Sequence, residues 1–97
     1  MEMKAVSSNP VAAQVRPETL SRANDWVRPT PDEVKEIIRR TGRTDGGISE
    51  LLGLTPQSNK SGRGNRTVRR WTSGDVQIPY AAWALLAYEA GAGVIWK

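Results

Sequence analysis

The 97-residue chain contains no cysteine, no histidine and no phenylalanine. Without cysteine there is no disulfide, no thiolate metal site and no thiol nucleophile. Without histidine the usual general base, the usual metal ligand and any Ser-His-Asp triad are gone. No stretch approaches the run of about 18 apolar residues that a membrane-spanning helix needs, and Met1–Lys4 does not open into an export signal. These absences leave no catalytic residue, no metal site and no cofactor site to name. They point away from enzymes and towards a soluble, cytoplasmic binding module with one modest core.

What the sequence does have is a concentrated positive charge. Fourteen Lys and Arg against ten Asp and Glu give a formal charge of +4. Five of the cations, Lys60, Arg63, Arg66, Arg69 and Arg70, fall between Gln57 and Ser73, a window with no acidic residue. Outside it the chain is close to neutral. Such clustering is the sequence footprint of a polyanion-binding surface, the plainer alternative being a solvated basic loop.

Helix signals organise the chain as an all-α domain of four to five helices. Residues 1–16 are polar and aperiodic, and read as a flexible N-terminal tail ahead of a single domain over 17–97. Pro17 to Trp26 has the makings of a short helix, with Trp26 and Val27 laid against the domain. Thr30-Pro31-Asp32-Glu33 is a capping box with proline in the first turn. Val34, Ile37, Ile38 and Thr41 then recur at helical spacing, Arg39 and Arg40 suit the last turn, and Gly42 stops the helix. The acidic Asp32, Glu33 and Glu36 suit a helix N-terminus on dipole grounds rather than catalytic ones. Asp45–Leu54 reads as a second helix, with Ile48, Leu51 and Leu52 on one face and an exit at Gly53-Leu54. Residues 55–64 read as an irregular loop rich in Gly and Ser.

The third helix, about 65–73, is the unusual one. Val68 and Trp71 are its only large apolar residues, and at i, i+3 they share the buried side. Arg66, Arg69, Arg70 and Ser73 form a single opposite stripe. Like charges at these spacings repel by a few tenths of a kcal/mol per pair, roughly, which implies an anionic partner. A fourth helix, about 79–90, opens at Pro79. It is apolar around much of its circumference, through Trp83, Leu85, Leu86, Ala87 and Ala90, and is therefore expected to be buried on more than one side. Gly93–Lys97 packs on the core or on a second copy.

Three short helices of this kind match the helix-turn-helix arrangement, in which the second supports a third that lies in the major groove. The segments Leu51-Leu52-Gly53-Leu54, Thr67-Val68-Arg69-Arg70-Trp71-Thr72-Ser73-Gly74 and Ile78-Pro79 resemble the XRE-like regulators of the phage Cro and repressor type. The likeness runs from about Pro31 to Gly91. It departs from the family pattern in one respect: Gly53 and Val68 stand 15 positions apart, because Thr55–Asn65 is an insertion ahead of the recognition helix.

The resemblance implies a sequence-specific, double-stranded DNA-binding regulator, a repressor of a phage or mobile-element operon. It would be a cytoplasmic, nucleoid-associated protein of bacterial or phage origin. Arg66, Thr67, Arg69, Arg70 and Ser73 become the base-reading candidates, since arginine forked onto guanine is the commonest specific contact. Lys60, Arg63 and Asn65 become the phosphate-contact candidates, with Gly62 and Gly64 admitting close backbone approach. Val68 and Trp71 are core, the alternative for Trp71 being base stacking on single strands. Tyr80–Trp96 is the natural surface for a homodimer. A different reading makes the domain a protein-interaction module that binds and inhibits a host protein on the same scaffold. RNA or single-strand binding through Ser61-Gly62-Arg63-Gly64 is a third, resting on one Arg-Gly pair.

Overall fold

Among the described residues the chain forms four α-helices: α1 (Pro31–Thr41), α2 (Asp45–Leu52), α3 (Arg66–Ser73) and α4 (Tyr80–Glu89). Two short 3-10 turns described there, Pro17–Leu20 and Ala23–Asp25, come before them. This computed structural model describes residues 14–54 and 66–97, which include no strand. The fold is all-α.

α1 starts at the expected cap. Thr30 Oγ1 accepts from the Glu33 N–H at 3.2 Å, and the Glu33 carboxylate accepts from the Thr30 N–H at 2.7 Å. The helix ends at Gly42, whose φ of 73° is a left-handed conformation that glycine adopts without strain. Val34, Ile37 and Ile38 are buried. α1 packs against both α3 and α4, and α2 touches the same two helices. Ile48 of α2, Val68 and Trp71 of α3, and Trp83, Leu86 and Ala87 of α4 complete the core, with Ile78 and Ile95 from the connecting segments. α2 stops at Leu52, with Gly53 left-handed (φ 71°) and the Leu54 N–H returning to Ser49 O, so Gly53-Leu54 is the tight exit expected.

Two glutamates of α1 are buried, beyond anything a helix dipole asks for. Glu33 accepts from the Arg16 backbone N–H (2.9 Å), Arg16 Nε (2.8 Å) and Arg16 Nη2 (2.9 Å) besides closing the capping box. Glu36 accepts from Arg39 through Nε (3.0 Å) and Nη2 (2.7 Å), and from Arg40 Nε (2.6 Å). Burial pushes the Glu33 carboxyl up, but the bonds from Arg16 and Thr30 outweigh it and hold the group at about 2. The fork from Arg39, against burial and with help from Arg40, likewise holds Glu36 at about 2.

The N-terminal segment differs from its sequence reading. Residues 1–13 of the expected tail lie outside the described residues, and Val15 and Arg16 already belong to the folded body. Pro17–Trp26 is not one helix but two 3-10 turns parted by the extended residues Ser21 and Arg22. The reason is tertiary. Thr19 O accepts the indole N–H of Trp83, and Ser21 O accepts the Tyr80 hydroxyl at 2.9 Å. Carbonyls spent on α4 are not free for a helix ladder. The segment is a strap laid over α4. Trp26 packs edge-on against Tyr80 with centroids 5.0 Å apart, under the Arg28 guanidinium. Val27 instead points outward, only its N–H being used, to Glu18 O.

α4 also departs from expectation. Trp83, Ala84, Leu86 and Ala87 are buried on one wide arc, while Leu85 and Tyr88 face outward. α1 and α2 pack against α4, and the strap binds it through Trp83 and Tyr80. The C-terminal segment divides similarly. Ile95 enters the core, and Trp96 stays exposed against the Tyr88 ring, 6.3 Å between centroids.

Both glutamates carry folded values of about 2, below the ordinary 4.5. The stability they contribute is therefore complete above pH 4.5 and is lost as pH falls towards 2. With no histidine to titrate, the melting temperature is expected to stay level between about pH 5 and 8 and to drop steeply below 4. Glu33→Gln with Glu36→Gln should lower the neutral-pH plateau and flatten the acid limb. Melting by circular dichroism across this range checks both; an acid limb as steep as the parent's would assign it to other carboxylates.

Candidate nucleic-acid interface

α3 has eight residues and a simple division of labour. Val68 (0 % exposed) and Trp71 (4 %) are sunk into the core against α1 and α2. Arg66, Arg69, Arg70 and Ser73 are exposed on the opposite side, and Thr67 and Thr72 are half-buried on the flanks. The buried position of Trp71 excludes base stacking by its ring.

The end of α3 is tied down tightly. Gly74 takes φ 89°, and a Cβ there would come within 3.0 Å of Pro31 Cγ, so this position needs glycine twice over. Arg70 O accepts the N–H groups of Gly74 (3.1 Å) and Val76 (3.3 Å). Ser73 Oγ donates to the same carbonyl at 3.1 Å and accepts from the Asp75 N–H at 3.3 Å. Its hydroxyl thus closes the turn at the helix end. The shallow cleft beside this turn, between Pro31, Trp71, Gly74 and Ile78, is lined by no ionisable side chain.

The treatment of arginine elsewhere sets α3 apart. Arg16 pairs with Glu33, Arg22 with Asp25, Arg39 and Arg40 with Glu36, and Arg43 with Glu89. Arg28 lies 5.3 Å over the Trp26 ring and donates to Ile78 O. No described carboxylate comes within 4 Å of the guanidinium groups of Arg66, Arg69 or Arg70. The structure thus brings Arg66, Arg69, Arg70 and Ser73 onto one surface, with Thr67 at its edge. Lys60, Arg63 and Asn65 lie outside the described residues.

A second surface was legible only in outline. Of the apolar stretch Tyr80–Trp96, Trp83, Leu86 and Ile95 are core and Tyr80 is half-buried. Leu85, Tyr88, Val94 and Trp96 are the large apolar side chains exposed there. For the residues on α4, the signal that separates Trp83 and Leu86 from Leu85 and Tyr88 is angular position around the helix, which hydrophobicity alone hides. No helix among the described residues is long and apolar enough to cross a membrane.

Among the described residues, α3 thus presents three arginines with no carboxylate within 4 Å, on an all-helical domain. No protein-family model and no solved structure matches the chain. Two Escherichia coli proteins described as transcriptional repressor protein KorC do. One is 47% identical over 85 residues, 88% of this chain and 93% of its own length. The other is 46% identical over 83 residues, covering 86% and 91% respectively. The chain belongs to the KorC family of transcriptional repressors.

The anchoring and the charge of α3 separate cleanly by mutation. Trp71→Ala should cost about 3–5 kcal/mol, a large part of the stability of so small a domain. Arg66→Ala, Arg69→Ala and Arg70→Ala together should leave the melting temperature unchanged or slightly raised, because like-charge repulsion is relieved. Denaturant unfolding checks both.

Proposed function

We propose that the chain is a sequence-specific, double-stranded DNA-binding repressor of a phage or mobile-element operon, built as an XRE-like helix-turn-helix domain with α3 as its recognition helix. The observation that carries this reading is the surface of α3. Three arginines stand there with no described carboxylate within 4 Å, in a protein that pairs Arg16, Arg22, Arg39, Arg40 and Arg43 with acids. Two core side chains on the opposite face give that surface a fixed orientation. The KorC relatives, named as transcriptional repressors, support the same function.

In this reading α2 braces α3, and the arginines enter the major groove, where guanidinium forks meet guanine edges and phosphates. Thr67 flanks the contact. Ser73, its hydroxyl occupied in the terminal turn, acts there by shape more than by hydrogen bonding. Lys60, Arg63 and Asn65 are the candidate phosphate contacts beside the groove. No step calls for a catalytic group, a metal or a cofactor.

One α3 reads too little DNA to address an operator. Eight residues at 1.5 Å each make a helix of about 12 Å, which spans roughly three to four base pairs at 3.4 Å per step. A homodimer doubles the site, and the face of Leu85, Tyr88, Val94 and Trp96 is its proposed interface, a tilted aromatic pair at the centre.

Selection of bound sequences from a random duplex pool tests the reading. The expected product is a palindrome with half-sites about one helical turn apart, bound with an affinity that falls with log salt at a slope of roughly −0.9 per phosphate neutralised. The triple variant Arg66→Ala, Arg69→Ala, Arg70→Ala should recover no sequence; recovery of the parent's palindrome would overturn the proposal. For the dimer, Trp96→Asp should shift the sedimenting mass from two chains to one and weaken operator binding. A parent that sediments as one chain at operator-binding concentration removes this interface.

A further inference from the structure

We infer that the three arginines of α3 divide the work: Arg66 reads a guanine, while Arg69 and Arg70 hold phosphates on the two sides of the groove. The inference rests on the DNA-binding reading above and refines it. It follows from the rotation of each side chain about the helix axis, referred to the residues that fix the helix.

Val68 and Trp71 are the two side chains sunk in the core, so the direction bisecting them points into the protein. At about 100° per residue, Arg66 and Ser73 lie within roughly 10° of the opposite direction, which is straight outward. Arg69 and Arg70 lie roughly 50° from it, one to each side. The major groove, about 12 Å wide, just admits a helix of about 10–12 Å with its side chains. Side chains on the outward line therefore face the groove floor and its base edges. Those turned well to either side face the walls, which are the two phosphate backbones.

Position along the axis separates the two central residues. Arg66 opens α3, and it is the first residues of a recognition helix that approach the bases. Ser73 closes the helix with its hydroxyl donating to Arg70 O and accepting from Asp75 N–H. Of these two, Arg66 is the one whose donors no described group engages, five N–H groups in a planar fork that matches guanine O6 and N7. All three arginines are exposed and without a described carboxylate, so none is held back by a partner within the protein.

The experiment compares the parent with Arg66→Lys, Arg66→Ala, Arg69→Ala and Arg70→Ala, by selection from a random duplex pool and by salt titration on the parent's selected site. Circular dichroism establishes that each variant is folded. Arg66→Lys keeps the charge and loses the fork. It should retain the salt slope while preference for guanine at one position of each half-site falls roughly 5- to 150-fold, and Arg66→Ala should lose the same preference. Arg69→Ala and Arg70→Ala should select the parent's sequence with weaker binding, each reducing the salt slope by about 0.9 per chain. Retention of the guanine preference by Arg66→Lys, or its loss in Arg69→Ala or Arg70→Ala, would overturn the division. A parent with no salt-dependent affinity for any duplex would overturn the DNA-binding reading beneath it.

Discussion

Everything α3 does depends on two side chains. An isolated eight-residue helix is unstable in water, because nucleation is costly and too few hydrogen bonds follow it. Repulsion among Arg66, Arg69 and Arg70 makes matters worse. Val68 and Trp71 offset this by burying almost all of their surface against α1 and α2. Full burial of two such side chains contributes several kcal/mol, at roughly 1.5–3 kcal/mol for the valine and more for the larger indole. The arginine surface is therefore held from behind, and its direction is set by how the core receives an indole ring.

The rest of the molecule shows what arginine does when structure is its only task. Arg16 is bound by three of its N–H groups to Glu33, and Arg39 and Arg40 converge on Glu36. In each case a buried carboxylate is satisfied by a fork reaching in from the surface, the arrangement that makes a buried charge tolerable. Glu33 serves twice, completing the cap of α1 and anchoring the strap through Arg16. Against this pattern the arginines of α3 are conspicuous, since no described carboxylate comes within 4 Å of any of them.

Local signals carried much of the fold into the sequence. The capping box at Thr30–Glu33, the stop at Gly42 and the two-faced pattern of Arg66–Ser73 are each written within a few residues, and each is found where it was expected. The strap was illegible for the opposite reason. Its course is decided by Trp83 and Tyr80, 64 and 59 residues away from the carbonyls they bind. A backbone carbonyl leaves no mark on hydrophobic periodicity, so Pro17–Trp26 reads as a helix although its hydrogen bonds go elsewhere. α4 was half legible. Its composition announces burial, but only the position of the other helices decides that Trp83 and Leu86 turn inward while Leu85 and Tyr88 do not. The base-reading candidates came out of the sequence as a set, whereas their separate orientations require knowing which way Val68 and Trp71 point.

The distance between α2 and α3 bears on which contacts fix the direction in which α3 presents its arginines. In a helix-turn-helix with a turn of three or four residues, the turn itself constrains how the two helices cross. Here Leu52 and Arg66 bound an interval of 13 residues, more than three times that length. Lengthening a loop costs little free energy, about 0.6 kcal/mol for each doubling, so the insertion does not threaten the fold. It does transfer the orienting task to contacts at the other end and underneath. Gly74 pressed against Pro31 ties the C-terminus of α3 to the start of α1, and Val68 and Trp71 hold its underside. α1, capped by Glu33 and packed against α3 and α4, becomes the reference against which the arginine surface is aligned. The core and the far end, through Val68, Trp71 and the Gly74–Pro31 approach, are what hold α3 in its direction.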